Sequence, residues 1–382
     1  MKAWAPVLFC LVVGLALSPA AAQTNPDQIL LKDYRPRSIY HVPETRVEKA
    51  RYPVIDVHSH DYAPSPADVQ RWVATMDMVG LQKTIILSGA TGKRFDTVLA
   101  KFRRFPDRFD VWCGFDYTGF DQPGYAARAV AELERCCRAG ATGVGELSDK
   151  GRGLGAGTNI TGLHLDDPRL DPLLEKCADL HLPVNIHVGE DEWMYEPMDA
   201  SNDGLMNAWK WRVALDPGVL GHDEVVATLE RAVRRHPHTT FIACHLANCC
   251  SDLGRLGAML DGCPNLYADI GARYAELSPI PRFVLQFFKR YQDRLLYGTD
   301  VYPEPEMYRA TFRLLETNDE HFYPVYFRKY HWPMYGFGLP DEVLRKLYRD
   351  NALHVFAAHR RPSRVAFPAS AALTARPATG TV

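Results

Sequence analysis

The stretch VIDVHSH, residues 54–60, decides how the rest of the chain is read. Val54, Ile55 and Val57 make an apolar run suited to a buried strand, and side chains two residues apart on a strand share a face. His58 and His60 therefore point the same way if the strand continues to them. Two neutral imidazoles side by side are half of a metal site. A surface histidine pair at a strand end is the plain alternative, and the rest of the chain has to choose.

Seven further apolar runs of strand length follow. They are KTIILSG (83–89), FDVWCGF (109–115), ATGVGEL (141–147), PVNIHV (183–188), TTFIACH (239–245), NLYADI (265–270) and RLLYGTD (294–300). Most gaps hold a helix-like segment. PADVQRWVATMDMVG follows the first run, and PGYAARAVAELERCCRAG follows the third, with Ala126, Val130, Leu133 and Cys137 at helical spacing and Gly140 as a stop. DEVVATLERAVRRHP precedes the sixth, with Val226, Leu229 and Val233 on one side. Eight strand-plus-helix units predict a (β/α)8 TIM barrel, distorted and carrying long loop insertions, over residues 53–358. KGRGLGAG (150–157) is glycine-rich, but no helix follows it closely, so it reads as a flexible loop and not as a phosphate cradle.

Bulk properties bound the class. Residues 1–22 read as a signal peptide: Lys2, an apolar stretch from Pro6 to Leu17 too short to span a bilayer, and an A-x-A site ending at Ala22. The expectation is a secreted or periplasmic chain, with 360 of its 382 residues remaining. Residues 23–52 read as an N-terminal arm on the body, and 360–382 as a disordered tail. An apolar content of 47% and a charged content of 24% describe a globular chain, and a net charge of −2 argues against nucleic acid or anionic membrane as the main partner. The basic piece KFRRFPDRF (101–109) reads as a solvated helix face. No second apolar run approaches membrane-spanning length. Eight of the nine cysteines lie beyond the leader, without zinc-ribbon spacing, and read as mostly buried small hydrophobes with one or two bridges left open. A small molecule is the expected partner, and a homo-oligomer is left open.

In a barrel of this kind the active site lies at the C-terminal ends of the strands. Strand one ends with His58 and His60, strand four with Glu146, strand five with His187, strand six with His245 and strand eight with Asp300. Of the 14 histidines, these four are the ones that follow apolar runs.

The ordered motifs D-V-H-S-H, N-I-H-V, A-C-H-L and Y-G-T-D resemble the amidohydrolase superfamily. The branch they are most similar to is the amidohydrolase-related one that includes aminocarboxymuconate-semialdehyde decarboxylase-like enzymes. DEVLRKLYRDNALHVFA (341–357) resembles the closing helix pair of that branch. The resemblance implies a divalent metal, usually Zn²⁺, with Mn²⁺ or a second metal as alternatives. It implies His58, His60, His187 and Asp300 as ligands of one Zn²⁺, and such a cation lowers the pKa of its water to about 7. It also implies that Asp300 takes the water's proton and that His245 orients the water or works as general acid/base. A core histidine and a loop cap before Tyr302-Pro303 are the plain readings of His245 and Asp300.

Glu146 is open between a second-metal ligand, an acceptor for a substrate hydroxyl, and a partner of Lys150 or Arg152. Arg273 is open between a substrate carboxylate and a salt bridge to Glu276 or another acid. Trp193, Tyr195, Trp209 and Trp211 after strand five, and Tyr302 with the rings up to Tyr335 after strand eight, line a pocket or pack the insertions down. Trp193 and Tyr302 stand as substrate-binding candidates. The expected function is a metal-dependent hydrolase of an amide, ester or lactone, with a non-oxidative decarboxylase on the same site as the alternative and a noncatalytic binding barrel as the third reading.

Overall fold

Eight strands run parallel in one sheet whose spatial order is their chain order: β1 (Val54–Ser59), β2 (Leu81–Ala90), β3 (Phe109–Cys113), β4 (Val144–Asp149), β5 (Val184–Val188), β6 (Phe241–Ala243), β7 (Leu266–Asp269) and β8 (Leu295–Leu296). The computed structural model describes residues 25–154, 161–327 and 329–357. Backbone bonds from Val57 N to Tyr297 O (2.9 Å) and from Asp300 N to His58 O (2.8 Å) join the last strand to the first, so the sheet closes as a barrel. The expected leader, the distal part of the glycine-rich loop from residue 155 and the expected tail lie outside the described residues.

The connections are helical: α1 (Pro66–Val79), α2 (Gly92–Phe102), α3 (Tyr125–Ala139), α4 (Asp171–Asp179), α5 (Leu205–Trp211), α6 (His222–Arg235), α7 (Leu253–Gly262), α8 (Tyr274–Leu277), α9 (Pro281–Arg290) and α10 (Pro305–Glu316). Local chemistry sets their ends. Before α1, Ser65 and Asp68 each bond the other's backbone N–H, and Pro66 needs no partner at the first helical position. Gly80 then stops the helix in the left-handed conformation at φ 90°.

Two apolar layers hold the barrel. Ile55, Val57, Ile85, Leu87, Trp112, Ile242 and Leu296 fill its interior against Ala352, Val355 and Phe356. Those last three lie on the closing helix, which is one run rather than a pair: α11 (Asp341–Arg345), a π-helical turn (Lys346–Asp350) and α12 (Asn351–Ala357). Asn351 donates to Gln292 O and Leu295 O at the entrance of β8, which seats this helix at the N-terminal end of the barrel. The opposite, C-terminal mouth is left to the long insertions. A second layer, with Trp72, Met76, Phe95, Leu133, Leu229 and Phe312, packs the helices on the outside.

Three sequence expectations shift. β6 and β8 are shorter than the apolar runs at 239–245 and 294–300, because His245–Asn248 and Asp300 take left-handed backbone angles (φ 50–57°) and leave the sheet. On α3 the buried face is Tyr125, Ala129, Leu133 and Cys136, displaced from the expected stripe. α2 ends at Phe102, so KFRRFPDRF is not a helix face; Phe102 and Phe109 are buried on either side of a turn. The arm touches the body through Thr45, which donates to Asp319, and Arg51, which pairs with Asp341. All eight described cysteines are unpaired. Among the described residues no helix is long and apolar enough to cross a membrane.

Candidate metal centre

β1 does not deliver its histidines by simple alternation. The strand ends at Ser59, and its register against β2 shifts between Asp56 and Ser59. Asp56, fully buried, fixes that irregularity by accepting from His58 N and Thr299 N and from the Thr299 hydroxyl. Gly298 lets β8 approach, since a Cβ there would lie 2.7 Å from His58 Cβ.

Each of four imidazoles spends one nitrogen on an acceptor outside the centre. His58 Nδ1 meets Asp269 Oδ2 at 3.0 Å, and His60 Nδ1 meets Leu87 O at 3.0 Å. His187 Nε2 meets Gly189 O at 2.8 Å, and His245 Nδ1 meets Gly271 O at 2.7 Å. Those acceptors require N–H donors, so in the neutral rings the other four nitrogens carry lone pairs. All four face Glu146: His58 Nε2 at 3.8 Å, His60 Nε2 at 3.3 Å, His187 Nδ1 at 2.9 Å and His245 Nε2 at 3.6 Å. Three of them also face Asp300, His60 Nε2 at 3.0 Å, His58 Nε2 at 3.7 Å and His245 Nε2 at 3.8 Å.

Lone pairs and carboxylates crowded this way repel one another unless positive charge sits among them. Protons supply it in part. Burial opposes charging His58, but Asp269, Asp300 and Glu146 together outweigh it and raise its pKa to about 10. His187 is likewise pushed down by burial and up by Glu146 and Glu190, ending at about 9. Burial works against ionising Asp300 and Glu146, yet the surrounding imidazoles hold both below the usual carboxylate range. His245 differs: burial dominates and lowers its pKa, so it stays neutral. His58 Nε2 is buried and has no hydrogen-bond partner, although its other nitrogen is anchored. His58, His60 and Asp300 place one donor atom each within 4.8 Å of one another, as do His58, Glu146 and His245. A divalent cation fits this donor set of imidazole nitrogen and carboxylate oxygen.

The centre opens onto a cavity of about 350 Å³ lined by His187, His245, Asp300, Tyr62, Tyr302 and Trp211, among others. Of the expected substrate candidates, Tyr302 lies on its wall, while Trp193 packs against Gly204 and Trp332. Arg273 reaches the wall, but its guanidinium is engaged by Asp191 (3.1 Å), Glu276 (3.5 Å) and Asn248, the salt-bridge alternative. Glu146 pairs with neither Lys150 nor Arg152, which go to Glu190 and Asp216.

Sequence reasoning passed over three residues. Asp269 ends β7, so the strand-end rule finds it; Glu146, expected to end strand four, instead lies inside β4, which runs on to Asp149. Tyr62, whose hydroxyl donates to Asp300 Oδ1 at 3.3 Å, lies two residues beyond His60. Glu190, with an oxygen 3.7 Å from His187 Nε2, had no signal beyond its closeness to a strand end.

A closed parallel β/α barrel with a histidine–carboxylate centre at its C-terminal mouth defines the class. The chain belongs to the amidohydrolase family: the family's sequence model matches residues 41–357. Solved structures share the barrel. An uncharacterised TIM-barrel protein, Bb4693, from Bordetella bronchiseptica is 17% identical, with 81% of this chain and 100% of that one covered and a TM-score of 0.53. A protein from Staphylococcus aureus assigned as an amidohydrolase is 15% identical, with 80% and 99% covered and a TM-score of 0.52. The complex of 2,6-dihydroxybenzoate decarboxylase with 2,6-dihydroxybenzoate is 16% identical, with 82% and 99% covered and a TM-score of 0.49. At these identities the likeness to the first two is one of fold. No curated protein matches the chain.

Proposed function

We propose that the protein is a metal-dependent hydrolase that cleaves an amide, ester or lactone bond of a small molecule held in the 350 Å³ cavity. The observation that carries this reading is the set of four imidazole rings, each fixed by an outside acceptor, whose other nitrogens turn onto Glu146, three of them onto Asp300 as well. His58, His60, His187 and Asp300 would hold one divalent cation, Zn²⁺ or Mn²⁺, with Glu146 beside them. Bound there, such a cation supplies Lewis acidity and lowers the pKa of water to about 7.

Hydrolysis needs a base for the attacking water and an acid for the leaving atom. His245 serves both at Nε2: burial keeps the ring neutral, and Gly271 O fixes which nitrogen accepts the proton. Tyr62 stays protonated, because burial and Asp300 push its pKa up, so its hydroxyl donates to the carboxylate or to a substrate oxygen. Trp211, Tyr302 and Tyr326 line the cavity.

The test is turnover of a panel of lactones, esters, amides and aromatic carboxylic acids, with CO₂ detection, by chelated and reconstituted protein. Hydrolysis lost on chelation and restored by Zn²⁺ or Mn²⁺ is expected. Full hydrolysis by metal-stripped protein, or CO₂ release without hydrolysis of any panel member, would overturn the reading.

A further inference from the structure

The cavity has a thin far wall. Phe327 and Tyr330 line it, and the same two residues line a second cavity of about 520 Å³ on their other side. That second space lies beneath the N-terminal arm, between Tyr34, Arg35 and Arg37 of the arm and Arg313, Tyr323 and Trp332 of the body. We propose that Phe327 and Tyr330 form a partition that limits substrate length, with Phe327 as the specificity-determining residue. This deepens the reading of the first cavity as the substrate site and rests on it.

The two halves of the partition are held differently. Tyr330 is anchored through its hydroxyl, which donates to Glu276 and accepts from Asn207 Nδ2 at 2.9 Å. Glu276 is itself buried and ion-paired to Arg273, so this half is tied to the residues that follow β7 and to α5. Phe327 is held by packing: its ring stacks on Tyr274 with centroids 6.3 Å apart, and Tyr274 is buried and donates to Gly298 O. Shortening Phe327 therefore opens the wall without breaking a polar anchor. A space of about 350 Å³ is at the small end of ligand pockets and suits a one-ring molecule; joined to the second cavity it admits two. The far end carries three arginines against one carboxylate, Glu44, which lies 3.9 Å from Arg313. Arg35 and Arg37 have no ion pair among the described residues, while Arg313 is paired to Asp319 at 2.7 Å. A two-ring molecule with an anion at each end would thus meet the metal centre at one end and these guanidinium groups at the other.

Calorimetric titration of benzoate and biphenyl-4,4′-dicarboxylate, each into zinc-loaded and zinc-free protein, tests the partition. The wild type is expected to bind benzoate at least about tenfold more tightly than the diacid, the scale of a pocket-shape effect. Phe327→Ala should tighten the diacid by about tenfold with little change for benzoate, and Phe327→Leu should fall between. An unchanged ratio of the two affinities in both Phe327 variants, folded as the wild type by circular dichroism, overturns the proposal, as does a wild type that binds the diacid as tightly as benzoate. The ratio is read in both metal states. Benzoate binding indifferent to zinc would count against the hydrolase reading alone, since the Phe327 effect on the ratio is still seen.

Discussion

Asp269 decides which nitrogen of His58 faces the centre. Its Oδ2 takes the Nδ1 proton, while Oδ1 accepts from His245 N and Gly271 N, so one buried carboxylate sets two of the four imidazoles. Asp269→Asn keeps the shape, but its amide can donate to Nδ1 and so force the proton onto Nε2. Zinc affinity, measured by chelator competition, should fall by about 10–100-fold with the fold intact; unchanged affinity would remove Asp269 from this role. At this scale the sequence was legible for the groups that carry the chemistry and poor for the groups that hold them. His58, His187 and Asp300 announce themselves as polar residues closing apolar runs. Asp269 closes one too, yet a partner of a ligand looks no different in sequence from a strand cap. The Arg273 alternatives were undecidable, because Asp191 is 82 residues away and only the fold brings the two within 3.1 Å.

Glu132 joins two elements of the outer layer. From α3 it accepts Gly92 N at the start of α2 (2.8 Å), and Arg135 grips both its oxygens at 2.8 and 2.9 Å. The Arg135 contact is the largest influence on its carboxyl, which falls from 4.5 to about 2. A folded-state pKa below the unfolded one contributes stability that is present above about pH 4.5 and is lost as the pH falls towards about 2. Glu132→Gln has nothing to protonate. Urea unfolding of both proteins should show a wild-type advantage at pH 6 that shrinks between pH 4.5 and 2, and an advantage independent of pH would refute the assignment. The number and order of the strands could be read from apolar runs alone. Their ends could not: nothing in TTFIACH or RLLYGTD shows that His245 and Asp300 turn left-handed and end the strands early. On α3 two overlapping apolar stripes compete, and packing against the barrel, invisible to periodicity, selects the one with Ala129 and Cys136.

Across the whole molecule, the closing helix seals the N-terminal end of the barrel and leaves the other mouth to the insertions, so side chains from β1, β4, β5, the turn after β6 and the loop after β8 meet at one rim. That meeting fits the seat of a cation, because imidazole nitrogens and carboxylate oxygens gathered in one small volume are the donors a divalent metal takes. The most direct test is the metal content per chain of the purified wild type and of His60→Ala, after equal exposure to zinc and removal of the excess. One tightly held ion per wild-type chain and almost none in the folded variant is the predicted result. Equal zinc in the two proteins, or none in either, would contradict it.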